Sequence, residues 1–588
     1  MTNAEPSLRS KIEAGPQGRK WLELVKRSTG AASGDHALQL LSTRKADGIV
    51  IPPIYPLTGA CGKPLSLYGR DGRQWQTFTR VDHPSPQQAN RQLLTDLEQG
   101  ADGAVLVFAG AASAHGFGIE AEDASSLEAV LDSVFADAAG LRFEGMSAEQ
   151  FRWWTGICKN RGYDPAKLDV AFDFRSPLAG AEEGAAPLPG FIADAVRWHN
   201  KGASAAEELG LALGQLVAMM RRASETDPDT GLSATRWNAG LSCDADQFET
   251  IAKFRAMRLL WRKLLAVLKA GEIPLHLHAT TSWRMMSRRD PWTNSLRTTV
   301  AAFSAGIGGA DSVTVLPHTQ PLGLPDRFAR RVARNISLIL QEESHLGKVS
   351  DPAAGAGIYD ALSRSLAERA WKHFQSIEAA GGFSALIDSG GAHAMIKSSR
   401  SGRLADMASR KVVSIGNSHF ARLDEPEVDM LMPRRLEPAV QDDDFGDLRD
   451  GLLFEHLCCR AQALSLNQKA AVVLICLGTR KSHKPRADFA GDLFAAGGLK
   501  TTILALSADQ ELDTYQADQT PIVCLCGSDD DYDTAADGLI SGLRTAGARQ
   551  ILLTGRSETA GVDDRIFSGC NAIAVLDRTL SVLEERIG

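Results

Sequence analysis

The stretch Lys253–Ala279, KFRAMRLLWRKLLAVLKAGEIPLHLHA, sets the fold. Phe254, Met257, Trp261, Leu264, Leu265 and Leu268 recur at intervals that place most of them on one helical face. The run Pro274–Ala279 that follows is apolar and of strand length. The same alternation extends outward in both directions. Gly48–Ile51, Gly103–Phe108 and Ser312–Leu316 read as strands, and Val332, Ile336 and Ile339 share a second helical face. Strands alternating with helices over residues 46–429 predict a parallel α/β architecture, a (β/α)8 TIM-type barrel.

The flanks have other rhythms. In residues 1–45, Trp21, Leu24 and Val25 recur at helical spacing, as do Leu38 and Leu41. This segment reads as an arm whose apolar stripe docks on the barrel or on another subunit. Residues 430–469 read as a linker, with Pro433, Arg434 and Arg435 leading to Gln441, Asp442, Asp443 and Asp444. In residues 470–588, Ala471–Leu477, Thr501–Leu506, Pro521–Cys526, Gln550–Leu553 and Ala572–Leu576 read as strands. Helices are expected at Ala487–Ala496, at Thr534–Ala546 and after Gln550–Leu553. That order predicts a doubly wound, flavodoxin-like domain. Its ligand loops are expected near 478–486, 526–530 and 554–560.

Composition narrows the function. The 588 residues exceed one ordinary domain at roughly 100–200 residues each. The chain is 44% apolar and 23% charged, with a net charge of -8. No Lys/Arg block stands out, which argues against a nucleic-acid partner. No apolar run approaches the roughly 18 residues of a membrane span, so no membrane partner is expected. MTNAEPSLRSKIEAG lacks the apolar centre of a signal peptide, and a cytoplasmic location is expected. The nine cysteines are scattered, and Cys524 and Cys526 lie inside an apolar strand, where buried thiols are common.

Longer strings carry a resemblance. Lys253–Trp261 is similar to the conserved helix of methylmalonyl-CoA mutases. So are His278–Ser282, Arg289–Asn294 with Arg297–Thr299, Leu324–Ala329 through Arg334-Asn335 to Gln341–Ser344, and Asp351–Gly355. They keep the family's order and approximate spacing. Three features resemble the family's small-subunit type: Trp21, Leu24, Leu38 and Thr43-Arg44 leading to Asp47–Ile49; Trp198–Ala203; and Phe567–Ala572. The resemblance implies a heterodimer with a large catalytic subunit, an acyl-CoA substrate and adenosylcobalamin as cofactor, in propionate metabolism. The complex would be an isomerase of methylmalonyl-CoA and succinyl-CoA.

It also names positions to test. The family's D-x-H-x-x-G cobalamin loop falls on Lys481–Arg486. His483 takes the cobalt-ligand position beside Ser482. Lys481 stands where an Asp would orient the ring, and Arg486 where a Gly admits the nucleotide tail. The later cobalamin loops correspond to Ser528 and Gly555. Tyr55, with residues 56–59, and His278 fall on acyl-CoA positions, and His199 on that of the active-site His. Thr319-Gln320-Pro321 replaces an Asp-Glu-Ala. These changes predict a chain freed from catalysis, with the cofactor bound by the partner. The alternatives are a self-sufficient mutase using His483 as lower cobalt ligand, and a metal enzyme built on His276 and His278, which share one strand face.

Overall fold

The computed structural model describes residues 8–55, 73–174, 190–226, 232, 235–438, 445–465, 471–505, 515, 517 and 520–587. The chain forms two compact units. The first comprises Met1–Ser282, Thr298–Leu316 and Arg331–Ser399; the second comprises Trp283–Arg297, Pro317–Arg330 and Arg400–Gly588.

The first unit is built on a closed parallel barrel. Its strands are β1 (Gln76–Val81), β2 (Gly103–Val107), β3 (Gly140–Met146), β4 (Val170–Phe174), β5 (Gly190–Asp194), β6 (Arg236–Cys243), β7 (Leu275–Thr281) and β8 (Ser312–Thr314). Each pairs with the next, and β8 closes on β1 with Ser312 opposite Gln76. Four helices matter below: α1 (Val196–Asn200), α2 (Ala205–Thr226), α3 (Gln247–Leu268) and α4 (Gly357–Ala379). On α3 the expected face is buried from Phe254 to Leu265, whereas Leu268 is exposed. Trp261 Nε1 donates to the Ile273 carbonyl at 2.7 Å, and Arg258 Nη2 to Asp311 at 2.5 Å. These bonds fasten the helix to the segment leading into β7 and to the residue before β8. Arg255 joins α3 to Asp360 of α4 at 2.8 Å.

Two expectations fail here. Gly48–Ile51 is not a barrel strand: Val50–Ile51 pairs antiparallel with Thr43–Arg44 in a two-residue hairpin. The barrel begins instead at QTFTRV, whose polar residues carry no apolar run. On the helix Arg327–Glu342 the buried side is Ala333, Arg334, Ser337 and Leu340, and Ile339 is exposed. Arg334 sits there because Asp96 meets it at 2.7 Å, so a paired charge takes a core position. In the arm, Leu22 and Leu38 pack with Ile12, and Trp21 borders them.

The second unit centres on a five-stranded parallel sheet: β9 (Val472–Cys476), β10 (Thr501–Ala505), β11 (Ile522–Cys526), β12 (Gln550–Thr554) and β13 (Asp564–Ile566). The order β10-β9-β11-β12-β13 is the flavodoxin-like winding. Alternate residues feed two cores. Leu474, Cys476, Cys524 and Leu552 face one way, and Ile475, Val523, Ile551 and Leu553 the other. Its helices are α5 (Leu452–Ala463), α6 (Arg480–Ala496), α7 (Asp529–Thr545) and α8 (Ala572–Ile587).

Ala572–Leu576, expected as the last strand, is the start of α8. Ala572, Val575, Leu576, Leu580 and Leu583 are buried at helical intervals. The fifth strand is the short polar Asp564–Ile566, with no helix between it and β12 among the described residues. Helix α6 begins seven residues before the expected Ala487 and takes in Lys481–Arg486, with Pro485 inside it. The stretch 430–469 contains α5; Gln441 to Asp444 lie outside the described residues.

Candidate functional site

Ligands of such barrels bind at the carboxyl ends of the strands. There α1 follows β5 and carries His199. Its Nε2 lies 2.7 Å from the Ser282 hydroxyl, just past β7, and its Nδ1 lies 3.4 Å from Glu208 of α2. Lys253 of α3 donates to Glu208 at 2.6 Å and to the Ser242 hydroxyl at 3.1 Å. The Ser242 N–H donates to the other Glu208 oxygen at 2.8 Å. All five residues are buried. The ammonium and these donors compensate a desolvated carboxylate. His199 is thereby fixed, with both ring nitrogens engaged by protein groups.

Deeper in the barrel, His278 Nδ1 lies 2.7 Å from the Ser312 hydroxyl and Nε2 3.2 Å from that of Thr314. The Phe78 ring packs edge-on at 5.4 Å between centroids. His276 shares Ser312 at 2.8 Å. Burial pushes His278 well below its ordinary value and His276 down to about 4. Both rings are therefore neutral near pH 7. Among the described residues no group of three or more His, Cys, Asp or Glu is arranged to hold a metal ion.

A third set escaped the sequence reading. Glu144 of β3, Asp173 of β4 and Asp194 of β5 meet Arg197 of α1. Arg197 Nη2 donates to Asp173 at 2.7 Å and Nε to Asp194 at 3.0 Å. Arg80 Nε donates to Asp82 at 2.7 Å, and the Ser113 hydroxyl binds Glu144. Asp173 Oδ1 is buried without a hydrogen bond. Desolvation pushes the Asp173 carboxyl up to about 8; Arg197 opposes this, and the charges of Asp194 and Glu144 add to it. The only available signal is one acid near the end of each of three adjacent strands, which shows once the strands are aligned.

Tyr55 is half-buried, and burial raises its phenol. It follows the hairpin rather than a barrel strand, beside Ile54, which packs on the arm. Residues 56–59 lie outside the described residues.

In the second unit the loops after β9, β11 and β12 surround the crevice where flavodoxin-like folds take ligands. Ser482 and His483 lie in the first turn of α6, where the Ser482 hydroxyl donates to the Thr479 carbonyl at 2.9 Å. His483 Nδ1 is buried without a hydrogen bond. Ser528 caps α7 reciprocally with Asp531: its hydroxyl accepts from the Asp531 N–H at 3.2 Å, and its N–H donates to the Asp531 carboxylate at 2.8 Å. The Ser528 hydroxyl, at 2.6 Å, and the Ser528 N–H both bond the Asp531 carboxylate and hold it below its ordinary value. Gly555 has φ 137°, which needs glycine.

Arg486 crosses between these loops. Nη1 donates to the Gly527 carbonyl at 2.6 Å and Nη2 to Asp529 at 2.8 Å. The guanidinium lies 5.2 Å from the Tyr532 ring centroid. A Cβ at Gly555 would stand 3.1 Å from Nη1. One side chain thus fills the gap between the loops after β11 and β12. The exposed cation Lys481 stands two residues before His483, where a ligating imidazole needs an acceptor. These residues do not fit a cobalamin and its nucleotide tail.

A family model described as methylmalonyl-CoA mutase matches residues 191–450. A Streptomyces virginiae protein named methylmalonyl-CoA mutase small subunit is 35% identical over 601 residues, covering 95% of this chain and 94% of its own. A Mycobacterium bovis protein named probable methylmalonyl-CoA mutase small subunit is 34% identical, over 73% of this chain and 69% of its own. The Propionibacterium freudenreichii subsp. shermanii small subunit is 32% identical, over 66% and 62%. Matched along nearly its whole length, the chain belongs to the methylmalonyl-CoA mutase family, within which it resembles the proteins named small subunits.

Proposed function

We propose that this chain is the non-catalytic small subunit of a heterodimeric, adenosylcobalamin-dependent methylmalonyl-CoA mutase of the cytoplasm. A large catalytic subunit binds the acyl-CoA and the cofactor and interconverts methylmalonyl-CoA and succinyl-CoA. This chain stabilises that partner, and its arm, residues 1–45, contributes to the contact. The carrying observation is Arg486, hydrogen-bonded to Gly527 and Asp529 where a nucleotide tail would pass. His199 supports the reading, since Ser282 and Glu208 occupy both its ring nitrogens. The test is co-purification with the large subunit and an activity assay of each chain alone and of the pair. Activity of the large subunit alone or of the pair, with none from this chain, is the expected result. Mutase activity of this chain alone would sink the reading.

A second reading is a self-sufficient mutase with His483 as lower cobalt ligand. One observation favours it: His483 Nδ1 is buried without a hydrogen bond. His483→Ala separates the two, because only this second reading requires the cobalt spectrum to change.

A further inference from the structure

The second unit also carries a partly open cavity of about 320 Å³, whose lining includes neither Arg486 nor the loops at the strand ends. Arg288, Arg289 and Arg422 converge on it, and Leu322 and Leu423 supply apolar wall. Its charges do not cancel. Arg289 pairs with Glu425 at 3.3 Å. Glu455, the other acid of the wall, is taken by Arg449 at 2.6 Å. Among the described residues the Arg422 guanidinium meets only the exposed Asp424, at 3.4 Å.

Among the described residues the Arg288 guanidinium makes no ion pair, although its backbone N–H donates to Glu455 at 2.9 Å and the charges of Glu455 and Glu437 act on it. Its Nη1 donates to the Pro321 carbonyl at 2.9 Å and Nη2 to the Arg434 carbonyl at 3.1 Å. Among the described residues its Nε makes no hydrogen bond. Burial lowers its pKa, so the charge is partly desolvated. A desolvated cation bonded directly to neutral carbonyls has its counter-charge only at a distance, from Glu455 and Glu437, which Arg449 already pairs. The two carbonyls also fix the guanidinium plane before any ligand arrives, which reduces the ordering cost of binding.

We propose that this cavity binds a phosphate-bearing small molecule of nucleotide size. Arg288 and Arg422 take the phosphate, and Leu322 and Leu423 contact the organic part. A phosphate carries close to two negative charges, matching one unpaired and one weakly paired guanidinium, and its oxygens suit the fork of arginine. The volume lies within the range of small-molecule sites.

The test uses the full chain, calorimetry and thermal shift, with inorganic phosphate, ADP and succinate as probes. Phosphate and ADP should bind and stabilise, with ADP the tighter and succinate weaker than either. Arg422→Gln, at the exposed rim, should weaken ADP by about tenfold, the effect of losing one charge-assisted contact. Arg288→Gln should weaken it at least as much. Absence of phosphate and ADP binding at millimolar concentration overturns the proposal. So does succinate binding more tightly than ADP, or ADP affinity unchanged by Arg422→Gln.

Discussion

The guanidinium of Arg486 donates to the backbone carbonyl of Gly527 at 2.6 Å, from one side of the sheet's crevice to the other. The side chain that removes space for a nucleotide tail also ties together the loops that would have held it. Removing it should cost stability rather than create a cofactor site. Arg486→Ala is expected to lower stability by about 1 kcal/mol, the size of a hydrogen bond in a partly exposed setting. Chemical denaturation checks this, with a parallel cobalamin titration that should stay negative because Lys481 remains. An unchanged denaturation midpoint would contradict the tie.

Glu208 is the keystone of the buried network at the barrel mouth. Glu208→Ala leaves Lys253 as an unpaired buried cation, which costs about 3–5 kcal/mol. The double change Glu208→Met with Lys253→Met should cost much less, since it removes both charges. Comparing the two denaturation midpoints checks the claim, and equal losses would refute it.

The acid cluster should make stability depend on pH. The folded Asp173 carboxyl sits near 8, far above the 3.8 of an unperturbed Asp. Between these values the folded chain holds a proton that the unfolded chain releases. The contribution is therefore fully present below about 4 and is lost as pH rises through about 8. Asp194, Glu144 and Arg197 face this group. Asp173→Asn should flatten the fall in Tm across that window, measured by thermal melts at stepped pH. A slope equal to that of the parent chain would count against it.

His483→Ala should leave the activity of the assembled mutase unchanged. Steady-state assays of the complex, with parent and variant subunits mixed at matched ratios, provide the check. A large loss of kcat would favour His483 as a cobalt ligand.

Legibility in the sequence followed chemistry. β7 and α3 stand out because Leu275 and Leu277 alternate in the strand and Phe254 to Leu265 share a helix face. β1, β3 and β4 do not, because Arg80, Arg142, Glu144 and Asp173 interrupt their apolar runs. Buried charge breaks the hydrophobic signature wherever ion pairs replace packing. Ala572–Leu576 misleads for a different reason: five residues cannot separate a strand from the first turns of a helix. At the candidate site, the positions of His199, His483 and Arg486 were legible through motif spacing. The partners Ser282 and Gly527 were not, since they lie 83 and 41 residues away, and Glu208, though near His199 in sequence, meets it only through the turn from α1 into α2.

On the proposed function, this chain leaves the cofactor to its partner. The direct measurement is a visible-absorbance titration of adenosylcobalamin into the purified chain, and into its complex with the large subunit. No binding by the chain alone and one equivalent per heterodimer, unaffected by His483→Ala in this chain, is the expected result. Stoichiometric binding by the chain alone, with a cobalt spectrum altered by His483→Ala, would contradict it.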